Sequence, residues 1–559
     1  MTMLLPTFCL AALTVIGAES QAFEPANFNV TQALVERDVN ISALPELASL
    51  ADRSSTHACQ IACDSLDILY GSHAIEFENE IGYSLFTKKY WSGIVGEVKP
   101  YCIFWPPTPD SLSVMVLILR LSQCPFAMKS GGHSAFAGGA SIEGGITVSL
   151  EKLQEITLSA DKQTVAVQPG NTWGPVLAAL NTSDVTVLAG RISDLGVVTA
   201  SGRIINASPT QYPDLYWSLR GGGNNFGIVT AFHLQTKPLP GDLMFGGTRT
   251  FPEASFPQVI KAYVDLTLHS AQDPKAGSWI AWIKKDGAKL ASTELWYGAP
   301  LAKGADAPIL SDFYQVDAVS DTTQTRAHAN YVLDHGAGAF ETYGRREVFY
   351  VLTVKASHEI AARAVDIFYD AIGDGTEIAA VKGIFPVLVW QHITDGALKG
   401  SARNGGNPIG FDLAGGPVHI IQLACSWNLA QDDEIVYKTM SGIMKQIKQE
   451  SRDLGVANDW VYMNYASQYQ DVIASYGAEN KAKLKRVAEE YDPRGCSRRC
   501  SLGISSWTGR RSLMIVTFPI ESCMIISLRI TWVALESDEQ TANVASLIFE
   551  SIKITSIIK

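Results

Sequence analysis

The sequence contains little that would favour a nucleic-acid partner or a membrane span. Charged residues make up 18% of the chain, the formal net charge is −12, and no run rich in lysine and arginine stands out. Proteins that bind nucleic acids carry basic patches that neutralise phosphates, so we expect no such partner. The apolar N-terminus is short for a membrane span, which needs ~20 apolar residues, and no other convincing spanning segment is present.

Ligands for a metal ion are also scarce. The chain has ten histidines, and none of them lies in a cluster with ligand spacing such as His-Glu-x-x-His, which argues against a metal-dependent hydrolase. Cys59-x-x-x-Cys63 has no following His/Cys pair at the spacing of a zinc finger. We therefore predict no metal site.

The length and the hydrophobic content of the chain are those of a large globular protein. Its 559 residues, 47% of them hydrophobic, can bury a large core and predict two or more domains. Residues 1–22 contain an apolar run followed by small residues and are predicted to be a secretory signal peptide, with a short buried or anchoring segment as the alternative. Secretion agrees with the N-glycosylation sequons, and it would permit disulfides among the cysteines beyond Cys9. The sequons begin at Asn29, Asn40, Asn181 and Asn206.

Short strands and helices alternate along the chain, which predicts an α+β fold. In the first half, the patterns predict helices near 30–50, at 111–122 (amphipathic) and at 175–180, and strands at 125–129, 146–150 and 164–168. From about 240 to 450 the elements lengthen, with helices near 257–268, 357–372 and 433–450 and amphipathic strands such as 348–354 and 419–423. This second region is expected to be a substrate domain with an antiparallel sheet.

A turn rich in glycine places one histidine where a ligand could approach the backbone. The sequence Lys129-Ser-Gly-Gly-His133-Ser134 directly follows the short apolar run that predicts a strand. Glycine tolerates close approaches that other residues do not. The loop continues to Gly138 and Gly139, and its amides could bind an anion. Taken alone, the motif is more simply a glycine turn beside a structural histidine.

A second glycine-rich stretch, Gly221-Gly-Gly-Asn-Asn-Phe-Gly227-Ile228-Val229-Thr230, lies downstream. It is not a P-loop, because no Gly-Lys-Ser/Thr follows. It is not a dinucleotide fingerprint either, because a strand-like run comes next instead of a helix. Taken alone, it would be a glycine-rich hairpin.

The two motifs in this order resemble the FAD-binding domain of the berberine-bridge-enzyme-like flavin oxidases, a PCMH-type domain of the VAO class, in a fungal secondary-metabolism style. The resemblance implies that FAD is bonded covalently through His133, and that the strand with Gly227, Ile228 and Val229 lies beside its adenine and pyrophosphate. It also implies a disulfide between Cys63 and Cys102. The remaining FAD contacts that it implies are Lys129, Ser130, Gly131, Gly132, Ser134 and Gly138.

A third segment, Tyr462-Met-Asn464-Tyr465 with a predicted amphipathic helix at 478–490, resembles the C-terminal berberine-bridge segment of this family. There Asn464 would contact the flavin, and Tyr465 would stand beside the substrate as the candidate general base. A tyrosine is a poor base at its ordinary pKa of about 10, so its neighbours would have to lower that pKa. Without the resemblance, these aromatic residues are more simply part of a core.

The resemblance covers residues from about 60 to 495 and implies a two-subdomain FAD-binding domain joined to the substrate domain. The expected divisions are a signal peptide (1–22), an N-terminal cap (23–95), the FAD-binding domain (96–238), the substrate domain (239–450), the berberine-bridge segment (451–495) and a tail without family counterpart (496–559).

The chain departs from the family pattern at that tail and at one internal junction. Family members carry an additional glycine-rich loop and strand where Val197 here runs directly into Val198. Losing backbone donors to a diphosphate is costly, and a central strand of the flavin domain is expected to be lost with them. Both departures would follow from a mis-spliced or mis-predicted coding sequence, or from a divergent protein with weakened flavin binding.

The expected function is that of a secreted FAD-linked oxidoreductase acting on a small organic substrate, a secondary metabolite or a sugar. The substrate would give a hydride to the flavin, Tyr465 would remove a proton, and O2 would reoxidise the flavin with release of H2O2. The alternatives are a catalytically impaired relative that acts as a binding protein, and a mis-spliced product.

Overall fold

The computed structural model describes residues 23–24, 28–50, 57–336, 343–412 and 414–495. The predicted signal peptide at 1–22 and the tail at 496–559 therefore lie outside the described residues. The strands are β1 Ile75–Phe77, β2 Cys102–Phe104, β3 Phe126–Lys129, β4 Ile146–Ser149, β5 Ile156–Leu158, β6 Thr164–Val167, β7 Val185–Val198, β8 Ile204–Ala207, β9 Ile228–Pro238, β10 Leu243–Pro252, β11 Ala276–Lys285, β12 Ala288–Tyr297, β13 Ser320–Asp321, β14 Gln324–Ala327, β15 Arg346–Lys355, β16 Phe385–Ile393, β17 Val418–Trp427 and β18 Ala457–Asn458. The helices are α1 Val30–Val35, α2 Pro45–Ser49, α3 Ala58–Tyr70, α4 Ile81–Thr87, α5 Gly93–Gly96, α6 Pro109–Ser122, α7 Trp173–Leu180, α8 Pro213–Leu219, α9 Phe256–Leu268, α10 Ser311–Tyr314, α11 His328–Gly336, α12 His358–Ala371, α13 Asp395–Ser401, α14 Asp433–Asp453, α15 Val472–Ser475 and α16 Ala478–Tyr491.

The first sheet has the strand order β1-β2-β4-β3, in which β2 and β3 run parallel to β4. Strand β1 pairs with β2, so the predicted cap segment contributes a strand to this sheet. Helix α6 begins at a capping box in which Thr108 and Ser111 satisfy each other's backbone amides, with Pro109 in its first turn. Residues 111–120 of this helix are all buried. The expectation of an amphipathic helix was wrong here, because α1 and α3 also pack against this helix and leave it no solvent-facing side.

The second sheet has the order β5-β6-β9-β7-β8, with neighbouring strands antiparallel. Strand β7 runs through the junction of Val197 and Val198, and both residues are fully buried. Around the junction β7 pairs with β8 on one side and with β9 on the other. The junction is therefore an internal strand of the sheet, with a register shift against β9 at Gly196 and Val197.

The third sheet has the order β13-β10-β12-β11-β16-β17-β15-β18, with β14 added beside β10, and its pairings are antiparallel as predicted. Helices α9, α12 and α14 form a core against one face of this sheet, and the other face joins a core shared with the second sheet. Strand β17 is buried at every position. The prediction of amphipathic strands was wrong for this reason: both faces of the sheet are covered.

These three sheets with their helices confirm the α+β fold class. The predicted helix near 30–50 is instead two short helices, α1 and α2, separated by a 3-10 turn at Ile41–Ala43. The disulfide that the resemblance implied, Cys63–Cys102, is present, and a second joins Cys59 to Cys124. Within the described ranges, no helix is long and apolar enough to cross a membrane.

Candidate active site

The Ser-Gly-Gly-His-Ser turn leaves the carboxyl end of β3 with a backbone that only glycine suits at two positions. Gly132 has a φ of +72°, and a Cβ there would come within 2.8 Å of the Lys129 Cε atom. Gly138 has a φ of +79°. Between them, Ser134 donates a hydrogen bond to the Phe136 carbonyl at 3.2 Å. The predicted glycine turn is therefore present, and its left-handed positions are Gly132 and Gly138.

The first two residues of the motif, Lys129 and Ser130, anchor the turn to neighbouring segments. Lys129 is buried, forms an ion pair with Glu151, and its Nζ lies 5.1 Å from the centre of the Phe86 ring. The Ser130 hydroxyl donates a hydrogen bond to the Pro169 carbonyl. Gly131 is exposed, and nothing lies within 4 Å of the position where its Cβ would be.

The imidazole of His133 stacks on the indole of Trp91. The ring centres are 3.8 Å apart, and the planes differ by 13°. The Phe349 ring lies 6.1 Å from the imidazole and 5.2 Å from the indole. Trp91, Phe349, Ala135 and Ala424 form one small buried cluster. The histidine loop thus meets the third sheet through aromatic contacts at β15.

Backbone contacts hold Trp91 in this position. The Trp91 carbonyl accepts a hydrogen bond from the Gly344 amide at 2.9 Å, and the Gly93 amide donates to the Arg345 carbonyl at 2.7 Å. The hydroxyl of Ser92 donates to the Ala135 carbonyl at 3.1 Å. The segment is therefore fixed both to the residues before β15 and to the loop that follows His133.

Tyr465 reaches the same aromatic cluster from the C-terminal segment. It ends a 3-10 turn, Met463–Tyr465, and its ring lies 6.2 Å from that of Phe349. The side-chain amide of Gln391 on β16 donates a hydrogen bond to the Tyr465 hydroxyl oxygen at 3.2 Å. A donor at this oxygen stabilises negative charge that develops there. The Gln391 carbonyl oxygen is buried without a hydrogen-bond partner among the described residues.

Asn464 lies beside this tyrosine and is half-buried. Its side-chain amide donates to the hydroxyl of Tyr462 at 2.8 Å, and the Tyr462 ring lies 5.0 Å from that of Tyr465. The tripeptide is therefore held by contacts within its own turn as well as by the third sheet.

The second glycine motif lies away from the aromatic cluster. Its residues Gly227, Ile228 and Val229 pack against β7 and the protein cores. A Cβ on Gly227 would come within 2.7 Å of both a Val197 side-chain carbon and the Val198 carbonyl oxygen, so a larger residue would not fit there. Ile228 belongs to the core of the first sheet, and Val229 belongs to the core shared by the second and third sheets. These residues join two cores at the β7 junction, whereas His133 and Tyr465 meet at Phe349.

Sequence reasoning missed three residues of this cluster: Trp91, Phe349 and Gln391. Phe349 lies on a strand that the sequence predicted, but nothing in the local pattern distinguishes it from a core residue. Trp91 and Gln391 reach the cluster only through the tertiary fold. Only their contacts with His133 and Tyr465 identify them as site residues, and the sequence contains no signal for those contacts.

The residues around His133 fit an FAD group. The exposed Gly131 leaves open space at the turn, and the buried carbonyl oxygen of Gln391 is an acceptor without a protein partner. The N–H group of a flavin ring can donate to such an acceptor, and the phosphate groups of FAD can approach an open glycine turn. Within the part of the chain that the structure describes, no group of three or more His, Cys, Asp and Glu residues could hold a metal ion.

Comparison with known proteins agrees with this fit. Residues 100–199 match the family model described as an FAD binding domain, so the chain carries such a domain. The FAD-dependent monooxygenase sdcF of Emericella nidulans is 28% identical over 485 residues, which cover 79% of this chain and 98% of that protein.

Two solved structures have the same fold. A variant of berberine bridge enzyme, 13% identical, superposes with a TM-score of 0.63 and covers 79% of this chain and 99% of its own. The glucooligosaccharide oxidase of Acremonium strictum, which carries a 6-S-cysteinyl, 8α-N1-histidyl FAD, is 18% identical with a TM-score of 0.61, covering 82% and 99%. The chain therefore carries an FAD-binding domain, is similar to fungal FAD-dependent monooxygenases, and has the fold of berberine bridge enzyme.

Proposed function

We propose that the chain oxidises a small organic substrate, a secondary metabolite or a sugar, at an FAD bonded covalently to His133, with O2 as the electron acceptor. The observation that carries this proposal is the aromatic cluster at Phe349. It brings the His133 loop and Tyr465 together from opposite ends of the chain. When bound, FAD supplies the acceptor for the substrate's hydride and returns its electrons to O2.

His133 is the residue that would hold the cofactor. Its ring plane is fixed by the face of Trp91, so the imidazole is oriented before any ligand arrives. Preorganisation of this kind lowers the entropy cost of placing a reactive nitrogen. The loop after His133, through Gly138, would supply backbone amides for the phosphates.

Tyr465 is proposed to take the proton from the substrate's hydroxyl or amine group. The Gln391 amide donates to its phenolic oxygen and stabilises the anionic form that acts as a base. The neighbouring Asn464 would contact the cofactor, with its orientation set by the bond to Tyr462.

The covalent link is tested by acid precipitation. Purified wild-type protein, expressed with flavin supplied, should be yellow and should retain flavin absorbance in the washed, acid-precipitated pellet. A His133→Ala variant should lose the acid-stable absorbance, whereas His73→Ala, an exposed histidine, should keep it. Acid-stable flavin in the His133→Ala protein would overturn the assignment.

The electron acceptor is tested separately with any substrate that reduces the flavin. An oxidase releases one H2O2 for each substrate molecule oxidised, and 18O2 leaves no label in the product. Incorporation of 18O into the product would instead assign monooxygenase chemistry, which is the activity named for the fungal relative.

A second candidate, a relative with impaired catalysis that only binds, is favoured by two features. Trp91 covers one face of the His133 ring, and the buried strand at Val197 stands where family members have a cofactor loop. A colourless preparation, even with flavin supplied during expression, would support this candidate over the oxidase.

We also propose that the protein is secreted. Two disulfides are expected of an oxidising compartment, and the sequon residues Asn29 and Asn40 are both exposed. Expression in a eukaryotic secretory host should deliver the chain to the medium with residues 1–22 removed. Retention inside the cell with that segment intact would contradict secretion.

A further inference from the structure

A cavity of about 600 Å³ lies beside β15, on a different side of the strand from His133. It is bounded by β15, by helix α14 and by the segment 458–470. Tyr350 and Leu352, which line it, belong to the core on the helical face of the third sheet, whereas Phe349 points to the histidine loop. The cavity is therefore a place separate from the proposed flavin site.

Several aromatic side chains line the cavity, which is of the size that small ligands occupy. Ligand sites typically have volumes of roughly 300–1,000 Å³, with apolar walls and a few polar groups that fix orientation. The rings of Tyr437 and Tyr469 lie 5.9 Å apart and nearly perpendicular, and a flat ring could pack against either. The larger apolar and aromatic side chains of the lining are Tyr350, Leu352, Tyr437, Met444, Trp460 and Tyr469.

Helix α14 adds positive charge to this lining. Lys438, Lys445 and Lys448 all line the cavity, because residues seven and ten positions apart return to nearly the same helix face. Lys448 is paired with Asp459 at 3.4 Å. Lys438 and Lys445 are exposed and form no ion pair with any described residue. Two ammonium groups are thus available to an anion at the cavity.

The aromatic wall also contains hydrogen-bond donors. Trp460 is 4% exposed, and its indole N–H is buried without a hydrogen-bond partner among the described residues. Burial raises the pKa of Tyr437 to about 12, so its hydroxyl stays protonated at neutral pH. An indole N–H donates only, and a protonated phenol donates readily, so both suit a ligand that accepts hydrogen bonds.

We propose that this cavity is a second binding site, and that it takes a planar aromatic carboxylate. The ring would pack among the tyrosines, and the carboxylate would pair with Lys438 and Lys445. A neutral aromatic ligand would leave the two ammonium groups unused. A polyanion would be repelled by Glu434 and Asp459, which line the same cavity.

One edge of the cavity is fixed to the segment that carries Tyr465. The side-chain amide of Gln470 forms two bonds with the backbone of Val351, donating to its carbonyl at 2.6 Å and accepting from its amide at 3.1 Å. Gln470 thereby closes the free edge of β15 as a neighbouring strand would. The wall of the site is consequently preformed, and ligand binding needs no flavin.

The probe for this site is 2-naphthoate, titrated into the purified full-length protein by isothermal calorimetry, with neutral 2-naphthamide for comparison. Naphthoate should bind with one-to-one stoichiometry and more tightly than naphthamide. The double variant Lys438→Ala/Lys445→Ala should weaken naphthoate binding by about tenfold, since it removes two partly screened ion pairs, and should leave naphthamide binding unchanged. The matched control is Lys485→Ala, which removes an exposed helical lysine on α16 and should change neither.

Three outcomes would overturn the proposal: no naphthoate binding up to millimolar concentration, equal affinity for the neutral amide, or equal affinity in the double variant. A Ser441→Trp variant gives an independent test, because it places a large side chain in the cavity lining and should abolish binding. Retained binding in that variant would also overturn the site. All titrations are repeated with flavin-free protein, so that failure here is distinguishable from failure of the oxidase proposal.

Discussion

Replacing Phe349 should affect both the stability of the protein and the attachment of flavin. Phe349 is 4% exposed, and its partner across the β15–β17 ladder is Ala424, which offers only a methyl group to close a gap. Phe→Ala changes in cores lower the free energy of unfolding by ~3–5 kcal/mol. The neighbouring side chains can close little of the gap here, so we expect a loss of about 4 kcal/mol for Phe349→Ala. Part of that cost, roughly 0.5–1.5 kcal/mol, belongs to the aromatic contacts with Trp91 and Tyr465.

A Phe349→Leu variant separates volume from aromatic contact. Leucine keeps most of the apolar volume, so the expected loss is below ~1.5 kcal/mol. Both variants lose the ring that lies between His133 and Tyr465, and both should therefore reduce the fraction of flavin that survives acid precipitation. Stability is measured as the midpoint of urea unfolding followed by tryptophan fluorescence.

The matched control is Phe313→Ala. Phe313 is fully buried in helix α10, within the core on the other face of the third sheet. It should lose a similar free energy of unfolding and keep its acid-stable flavin. If Phe349→Ala retained as much flavin as Phe313→Ala, Phe349 would be an ordinary core residue and the aromatic cluster would have no role in cofactor attachment.

Further expected outcomes concern stability. Removing the Cys59–Cys124 disulfide, which closes 65 residues, should lower the free energy of unfolding by up to ~4 kcal/mol; an unchanged urea midpoint would contradict it. Glu24→Gln should lower the free energy of unfolding by about 3 kcal/mol, because the side chains of Glu24 and Arg120 are both 2% exposed and joined by two hydrogen bonds. A loss below ~1 kcal/mol would show that Arg120 finds another partner. Burial lowers the pKa of His328 to about 4, so this histidine stabilises the fold fully above ~6.5 and loses that contribution as pH falls toward 4. Between pH 7 and pH 5, the free energy of unfolding should therefore fall by about 2 kcal/mol more in the wild type than in His328→Asn. Urea unfolding measures both losses, and equal losses would refute the assignment.

Local sequence signals predicted the elements whose causes are local. Helices α9, α12 and α14 begin and end close to the predicted positions, because each has a strong apolar period of its own. The glycine turn before His133 was predicted for the same reason, because a turn is a property of a few adjacent residues, such as Gly132 with its left-handed φ. The Cys63–Cys102 pairing came from family resemblance, and spacing alone would not have selected it over Cys59–Cys124.

What could not be predicted depends on contacts between distant segments. The stacking of Trp91 on His133 requires the residues before β15 to bind the Trp91 backbone, and no local pattern in either segment contains that information. Gln391 reaches Tyr465 from a strand that the sequence analysis did not identify. Helix α6 was expected to be amphipathic because of its apolar spacing, yet Ser113 is fully buried and donates a hydrogen bond to the Gly202 carbonyl.

The junction in β7 links these observations to cofactor retention. At Val197 and Val198 the backbone is paired with β8 on one side and with β9 on the other, so its amides serve the sheet and are not available to a phosphate. In the proposed site, the loop after His133 would supply phosphate donors in place of this strand. Fewer charge-assisted hydrogen bonds mean weaker non-covalent binding of a dianionic diphosphate. The covalent bond proposed at His133 would remove this dependence, because an attached flavin would not dissociate even when its phosphates are poorly held. If the proposed function holds, cofactor retention would therefore depend more on His133 than on hydrogen bonds to the diphosphate.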